Sequence, residues 1–234
     1  MDAAHTAEAG ALFSSRSSFD AGGLGSDAAR PGSWFEEAGA MPPSKSTLRA
    51  RLVAERRAVP AAELAAGSEA IVRRILDLPE IAAARVVTLY RPLKGELAVE
   101  PLWHALEARG VECLFPRVVR GTKVLAFGTA DSLRPGVWGI LEPAPGSERA
   151  LSSIDAFVVP GVAFDEMGGR MGHGAGYYDA TLAAAPRALR IGACLDRFLL
   201  AELPRERHDQ SVDLLVTSTR TLRFESRGML ESPA

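Results

Sequence analysis

The stretch Val158–Leu182, VVPGVAFDEMGGRMGHGAGYYDATL, decides how this chain is read. A short apolar run enters a glycine cluster, and Tyr177, Tyr178 and Asp179 lead out of it into a helical pattern. Gly168, Gly169, Gly172, Gly174 and Gly176 fall close together. Glycine permits positive φ and lets backbone N–H groups approach an anion. Arg170 adds a fixed fork of donors suited to phosphate. Asp179 offers carboxylate oxygens at the end of the loop, where a hard cation bound to phosphates would sit. Turn punctuation explains the glycines taken alone. With Arg170 and Asp179 beside them, a nucleotide-phosphate site is the better reading. The spacing matches neither the P-loop nor the G-x-G-x-x-G fingerprint.

Outward from this stretch the pattern alternates. Ser44 through Val59 reads as a helix capped by Ser44 or Ser46, with Leu48, Leu52 and Val53 inward. Pro60 to Leu78 reads as a second helix, with Leu64, Ile71, Ile75 and Leu78 inward, and Val99 to Arg109 as a third ended by Gly110. Val86–Tyr90, Glu112–Phe115, Val124–Phe127, Ala156–Val159, Ile191–Cys194 and Leu214–Val216 read as strands. A helix begins at Asp179, and Arg134 to Gly146 reads as a Pro/Gly-rich connection. Strands alternating with helices predict an α/β fold. It is expected to be a single-domain, three-layer sandwich with a mostly parallel, Rossmann-like sheet and helices on both faces. Ligands of such sheets bind beyond the carboxyl ends of the strands, and the glycine loop is expected on that rim.

Composition narrows the class. The chain has 234 residues, 47% hydrophobic and 24% charged, enough for one good core. A net charge of −2 makes no case for nucleic acid or an anionic membrane, and no apolar run is long enough to span a bilayer. Residues 1–42 carry six acids against Arg16 and Arg30, a balance of −4 that leaves +2 for the remainder. Residues 1–43, rich in Ala, Gly and Ser, read as a disordered extension rather than a signal peptide. Met41 is a candidate natural start; a dispensable tail is the rival reading. The domain is expected over 44–226, with a tail over 227–234. Cys113 and Cys194 lie in apolar runs and read as buried free thiols, which fits a reducing cytoplasm.

Other residues are ambiguous alone. Lys45 and Arg49 share one helix face, and a solvated basic face is the simpler reading beside Arg51, Arg56 and Arg57. Glu96, in the loop after a strand, reads as an exposed acid. Trp138 is equally a core residue or a surface on which a flat ring stacks. Asp209 sits in a polar loop.

The sequence PGVAFD…GGRMGHGAGYYDATL closely resembles the signature of the 5-formyltetrahydrofolate cyclo-ligase family, usually PG-x-x-FD-x-x-G-x-RLG-x-G-x-GYYD. Lys45-x-x-Leu48-Arg49, Tyr90 to Glu96, Phe115-Pro116-Arg117, Pro135 to Pro143 and Pro204 to Thr217 agree in order and spacing. The resemblance spans roughly Ser44 to Phe224. It implies ATP-dependent closure of 5-formyltetrahydrofolate to 5,10-methenyltetrahydrofolate, by a monomer in the cytoplasm, with Mg²⁺ and without nucleic-acid or membrane partners. Catalytic roles fall to Arg170 and Lys45. ATP is assigned to Lys45, Arg49, Arg170, Gly172, His173, Gly174, Ala175, Gly176, Tyr177 and Tyr178. The folate falls to Arg91, Glu96, Trp138 and Tyr177, and the metal to Asp179 and Asp209. Ala175 lacks the basic residue that some members carry, with His173 as partial compensation. Cys194–Phe198 departs from the family pattern, which puts the outer edge of the substrate site in question. The alternative is a relative that binds folate or nucleotide without turnover. Fold analogy alone leaves a sugar-phosphate or acyl-CoA enzyme.

Overall fold

The structure is a computed structural model that describes residues 43–131 and 133–224, all within one compact unit, and leaves the Trp138 side chain undescribed. The expected N-terminal extension, except Pro43, and the expected tail over 227–234 lie outside the described residues.

Helix α1 (Lys45–Arg57) starts at Ser44, whose hydroxyl accepts from the Thr47 N–H at 3.2 Å. Helix α2 (Ala61–Leu76) follows Pro60, and a short α3 (Pro79–Ala83) leads into β1 (Val86–Thr88). Then come α4 (Glu100–Ala108), β2 (Glu112–Arg117) and β3 (Ala126–Gly128). The stretch Arg134–Gly146, expected as a connection, contains a hairpin of β4 (Leu133–Pro135) and β5 (Leu141–Pro143). Its alternation was hidden by prolines and glycines. Next are β6 (Glu148–Arg149), β7 (Ala156–Val159), β8 (Ala163–Asp165) and β9 (Arg170–Met171). Helix α5 (Tyr177–Ala184), β10 (Leu189–Cys194), β11 (Leu199–Leu200), β12 (Leu214–Thr217) and β13 (Thr221–Arg223) complete the chain.

The main sheet runs β13-β12-β10-β7-β1-β2-β3-β6. Its centre, from β12 through β2, is parallel; β13, β3 and β6 join antiparallel. The central strands are apolar on both faces, as strands covered on both sides must be. Along β7, Ala156 and Val158 join the core under α1, α2 and α4, while Phe157 and Val159 join the core under α5. These are the two faces of a three-layer α/β sandwich, as the sequence predicted. From β1 the chain proceeds to β2 on one side; from β7 it proceeds to β10 and β12 on the other. The sheet therefore has its topological switch point between β1 and β7, where open α/β sheets hold their ligands.

A small sheet, β11-β8-β9, stands apart from the main one. It brings Phe164 against the central layer. A Cβ added at Gly161 or at Gly192 would meet the Phe164 ring at 2.5 Å, so two backbone segments close on one aromatic.

Candidate active site

A cavity of about 450 Å³ opens beyond the carboxyl ends of β1, β2 and β7. Tyr90, Arg91, Leu93 and Glu96 reach it from the loop after β1, Pro116 and Val118 from the end of β2, and Pro160 from the end of β7. Lys45 and Arg49 enter from α1, and Asp209 from the loop before β12. Every residue from Gly172 to Asp179 lines it, as does Arg170. Every sequence-predicted site residue whose side chain is described lies among its walls.

Two of the cavity's cations, Lys45 and Arg170, are paired with its acids. Lys45 Nζ lies 2.8 and 2.5 Å from the two oxygens of Asp209, and 3.3 Å from Glu206. Arg170 donates to Asp179 Oδ1 at 2.7 Å. That oxygen also accepts the Gln210 N–H at 3.1 Å, which joins the start of α5 to the Asp209 loop. Burial alone would raise the Asp209 carboxyl. The Lys45 hydrogen bond and the Glu206 N–H outweigh it and hold the group below its ordinary value. Glu206, His208 and Asp209 bring ligand atoms within 4.8 Å of one another. The first two were missed in the sequence because they flank the family aspartate without a motif of their own.

Arg170 was expected within the glycine loop. It stands instead on β9, 7% exposed, and its NH1 donates to the Pro160 carbonyl at 3.3 Å. The loop thus follows a hairpin strand rather than β7 directly. Arg49 Nε donates to the Gly172 carbonyl at 2.9 Å, and Lys123 Nζ to the Ala175 carbonyl at 3.0 Å. These contacts hold the loop from both sides. Gly174 (φ 98°) and Gly176 (φ 76°) adopt the left-handed backbone that the glycine cluster was read for. The loop ends on the first turn of α5.

Glu96, read alone as an exposed acid, is 7% exposed. Its Oε2 accepts the Leu93 N–H at 2.9 Å, and its Oε1 lies 3.1 Å from His173 Nε2. Arg56, read as part of a solvated basic run, is buried as well. Its Nε and NH2 donate to the Gly95 carbonyl at 3.3 Å, and its NH1 to the Gly161 carbonyl. It fastens α1 to the Glu96 loop and to the end of β7. A sequence reader sees one arginine among several there. Arg91 lies over the Trp103 and Phe115 rings, 5.4 and 5.0 Å from their centroids. Burial, and next the Glu96 charge, push the Tyr178 phenol up, so it stays neutral. Both cysteines are free and buried; burial pushes the Cys113 thiol up to about 12 and the Cys194 thiol higher still, and neither lines the cavity.

The divergent stretch Cys194–Phe198 lies away from the cavity walls. Asp196 accepts from Thr217 and Thr219 at 2.6 and 2.7 Å, and Phe198 is buried in the core. The divergence therefore falls outside the cavity walls. Below the rim, Arg190 of β10 is 1% exposed. It donates to the Leu182 carbonyl of α5 at 2.5 Å, to Gln210 Oε1 at 3.1 Å and to the Ser211 carbonyl at 3.3 Å.

Fold and cavity together define an α/β protein with a charge-lined cavity at the switch point of its sheet. Residues 42–218 match the model of the 5-formyltetrahydrofolate cyclo-ligase family. A 5-formyltetrahydrofolate cyclo-ligase of Mycolicibacterium smegmatis is 34% identical over 192 residues, covering 76% of this chain and 96% of that one. A probable 5-formyltetrahydrofolate cyclo-ligase of Schizosaccharomyces pombe is 30% identical, covering 67% and 86%. The solved 5,10-methenyltetrahydrofolate synthetase of Aquifex aeolicus superposes with a TM-score of 0.69 at 31% identity, covering 80% and 96%. The chain belongs to the 5-formyltetrahydrofolate cyclo-ligase family, whose members are ATP-dependent ligases of folate one-carbon metabolism.

Proposed function

We propose that the protein cyclises 5-formyltetrahydrofolate to 5,10-methenyltetrahydrofolate, with ATP as phosphoryl donor and ADP and phosphate as co-products. One observation carries this reading. A single cavity holds a buried carboxylate, Glu96, and, along its walls, Lys45, Arg49, Arg170, Asp179, Asp209 and a glycine loop entering a helix. Glu96 suits the N–H edge of a pterin; Lys45, Arg49, Arg170 and the loop amides suit a polyphosphate, and the two aspartates suit the divalent cation that accompanies it.

A formamide oxygen is a poor leaving group. Attack of that oxygen on the γ-phosphorus, with departure of ADP, turns it into a phosphate ester on an N5 iminium carbon. N10 then attacks that carbon, phosphate leaves, and the N10 proton goes with it. The protein forms no bond to either substrate. Its work is to place the formyl oxygen in line with the phosphorus and to neutralise charge. Lys45 and Arg170 would hold the transferring phosphoryl group, and Arg49 with the amides of residues 172–176 the rest of the triphosphate. Glu96, Arg91, Tyr177 and Trp138 would orient the folate. The carboxylates of Asp179 and Asp209 are hard oxygen donors on one cavity, which fits Mg²⁺. The bound ion would offset charge on the phosphates.

The test is the near-ultraviolet rise of methenyltetrahydrofolate at neutral pH, with and without ATP and Mg²⁺. A rise that needs both is expected. No rise from folded protein would leave the non-catalytic relative, a reading whose sequence motive, the Cys194–Phe198 divergence, lies outside the cavity walls. No helix among the described residues is long and apolar enough to cross a membrane.

A further inference from the structure

The glycine loop carries a side chain that does not behave as part of a phosphate cradle. The His173 side chain is 43% exposed, yet its Nε2 sits 3.1 Å from Oε1 of Glu96, whose side chain is buried. The two residues are far apart in sequence and belong to different loops. With Glu96 as the carboxylate, His173 Nε2 is the donor in this bond. The other Glu96 oxygen is held by the Leu93 N–H at 2.9 Å. One donor on each oxygen fixes the plane of the carboxylate and leaves each oxygen free to accept once more.

A second observation concerns what lies behind this pair. A smaller cavity of about 220 Å³ adjoins the main one, with Arg56, Arg57 and Lys94 among its walls. Leu93, Glu96 and His173 line both cavities. The Glu96–His173 bridge is therefore part of the partition between them. Without the imidazole, Glu96 loses its Oε1 partner and gains freedom to turn toward the basic side cavity, where Arg57 and Lys94 would attract it.

We propose that His173 is a positioning residue for the folate rather than a ligand of the nucleotide: it holds the Glu96 carboxylate facing the main cavity and closes the wall behind it. This rests on the functional reading above. It assigns one glycine-loop side chain, His173, to the pterin end of the site.

The experiment measures two equilibria separately on the full chain: 5-formyltetrahydrofolate by fluorescence quenching and Mg-ATP by calorimetry. His173→Ala is expected to weaken folate about tenfold, the loss of one hydrogen bond to a charged group, and to leave Mg-ATP within twofold. His173→Gln keeps an N–H donor and is expected to recover most of the loss. In a Glu96→Gln background, His173→Ala is expected to add little, because the residues act as one unit. Thermal melting confirms that each variant is folded. An effect of His173→Ala on Mg-ATP with folate unchanged overturns the proposal. So does a Gln variant as weak as the Ala variant, or full additivity with Glu96→Gln. Failure of the unaltered protein to bind 5-formyltetrahydrofolate would instead sink the functional reading, and this inference with it.

Discussion

Lys45 and Arg170 each hold a carboxylate in this structure, and each is proposed to hold phosphate when substrates bind. The proposed metal ligands, Asp209 and Asp179, are the carboxylates they hold. The site is thus self-neutralised. Polyphosphate alone would strand two partly buried acids, and a cation alone would strand Lys45 and the buried Arg170. Lys45→Met is expected to tighten binding of Mn²⁺ to the substrate-free protein severalfold while weakening Mg-ATP by tenfold or more; calorimetry with each ligand separates the two effects. Asp179→Asn is expected to leave the protein folded and reduce turnover by at least about a hundredfold, since a group that offsets transition-state charge is lost. Near-normal turnover would remove Asp179 from the proposed metal site. At this scale the motif made Arg170, Asp179 and the glycines legible. Glu96 was not legible by itself. Its burial depends on Leu93, His173 and Arg56, two of them distant in sequence, and a single loop acid carries no sign of such partners.

Elements with long apolar runs were readable from the chain. Helix α2 and strands β7, β10 and β12 appear where apolar spacing put them. Strands β8, β9 and β11 were not foreseen, because two or three residues are too few to show a period. Yet β9 is what carries Arg170, so the missed elements decide where a catalytic candidate points. Their placement rests on Phe164, wedged against Gly161 and Gly192. Gly192→Ala puts a methyl 2.5 Å from that ring in the centre of the sheet. It is expected to lower stability by about 1–3 kcal/mol, measured by denaturant unfolding. Alanine in place of Gly110, which has open space around its Cβ position, is the informative contrast: its cost comes from the φ of 79° alone.

The molecule as a whole is tied at its edge by Arg223 of β13, which donates to Glu80 of α3. That hydrogen bond is the main reason the Glu80 carboxyl is held below its ordinary 4.5, with burial opposing it. A depressed carboxylate stabilises the fold above its unfolded value, and the contribution is lost as pH falls through the folded value. The melting temperature of the unaltered protein is therefore expected to exceed that of Glu80→Gln slightly near neutrality, with the gap closing below about pH 4. A gap that widens in acid would contradict the pairing. The family match begins at residue 42, so removing residues 1–40 is expected to leave turnover unchanged in the same absorbance assay.

Arg190 lines no part of the cavity, yet it grips both sides of it from underneath: the end of α5, whose first turn carries Asp179, and the residues just after Asp209. The gap between the two carboxylates is accordingly a dimension gauged by the core, not by whatever rests on the rim. Magnesium tolerates little departure from its short octahedral geometry, whereas calcium accepts longer and looser shells. Ionic discrimination at the proposed metal site would then be a property of the scaffold's tolerances. A change as mild as Arg190→Lys, invisible from the solvent, would blur the choice between small and large divalent ions while every residue facing the ligand stayed the same.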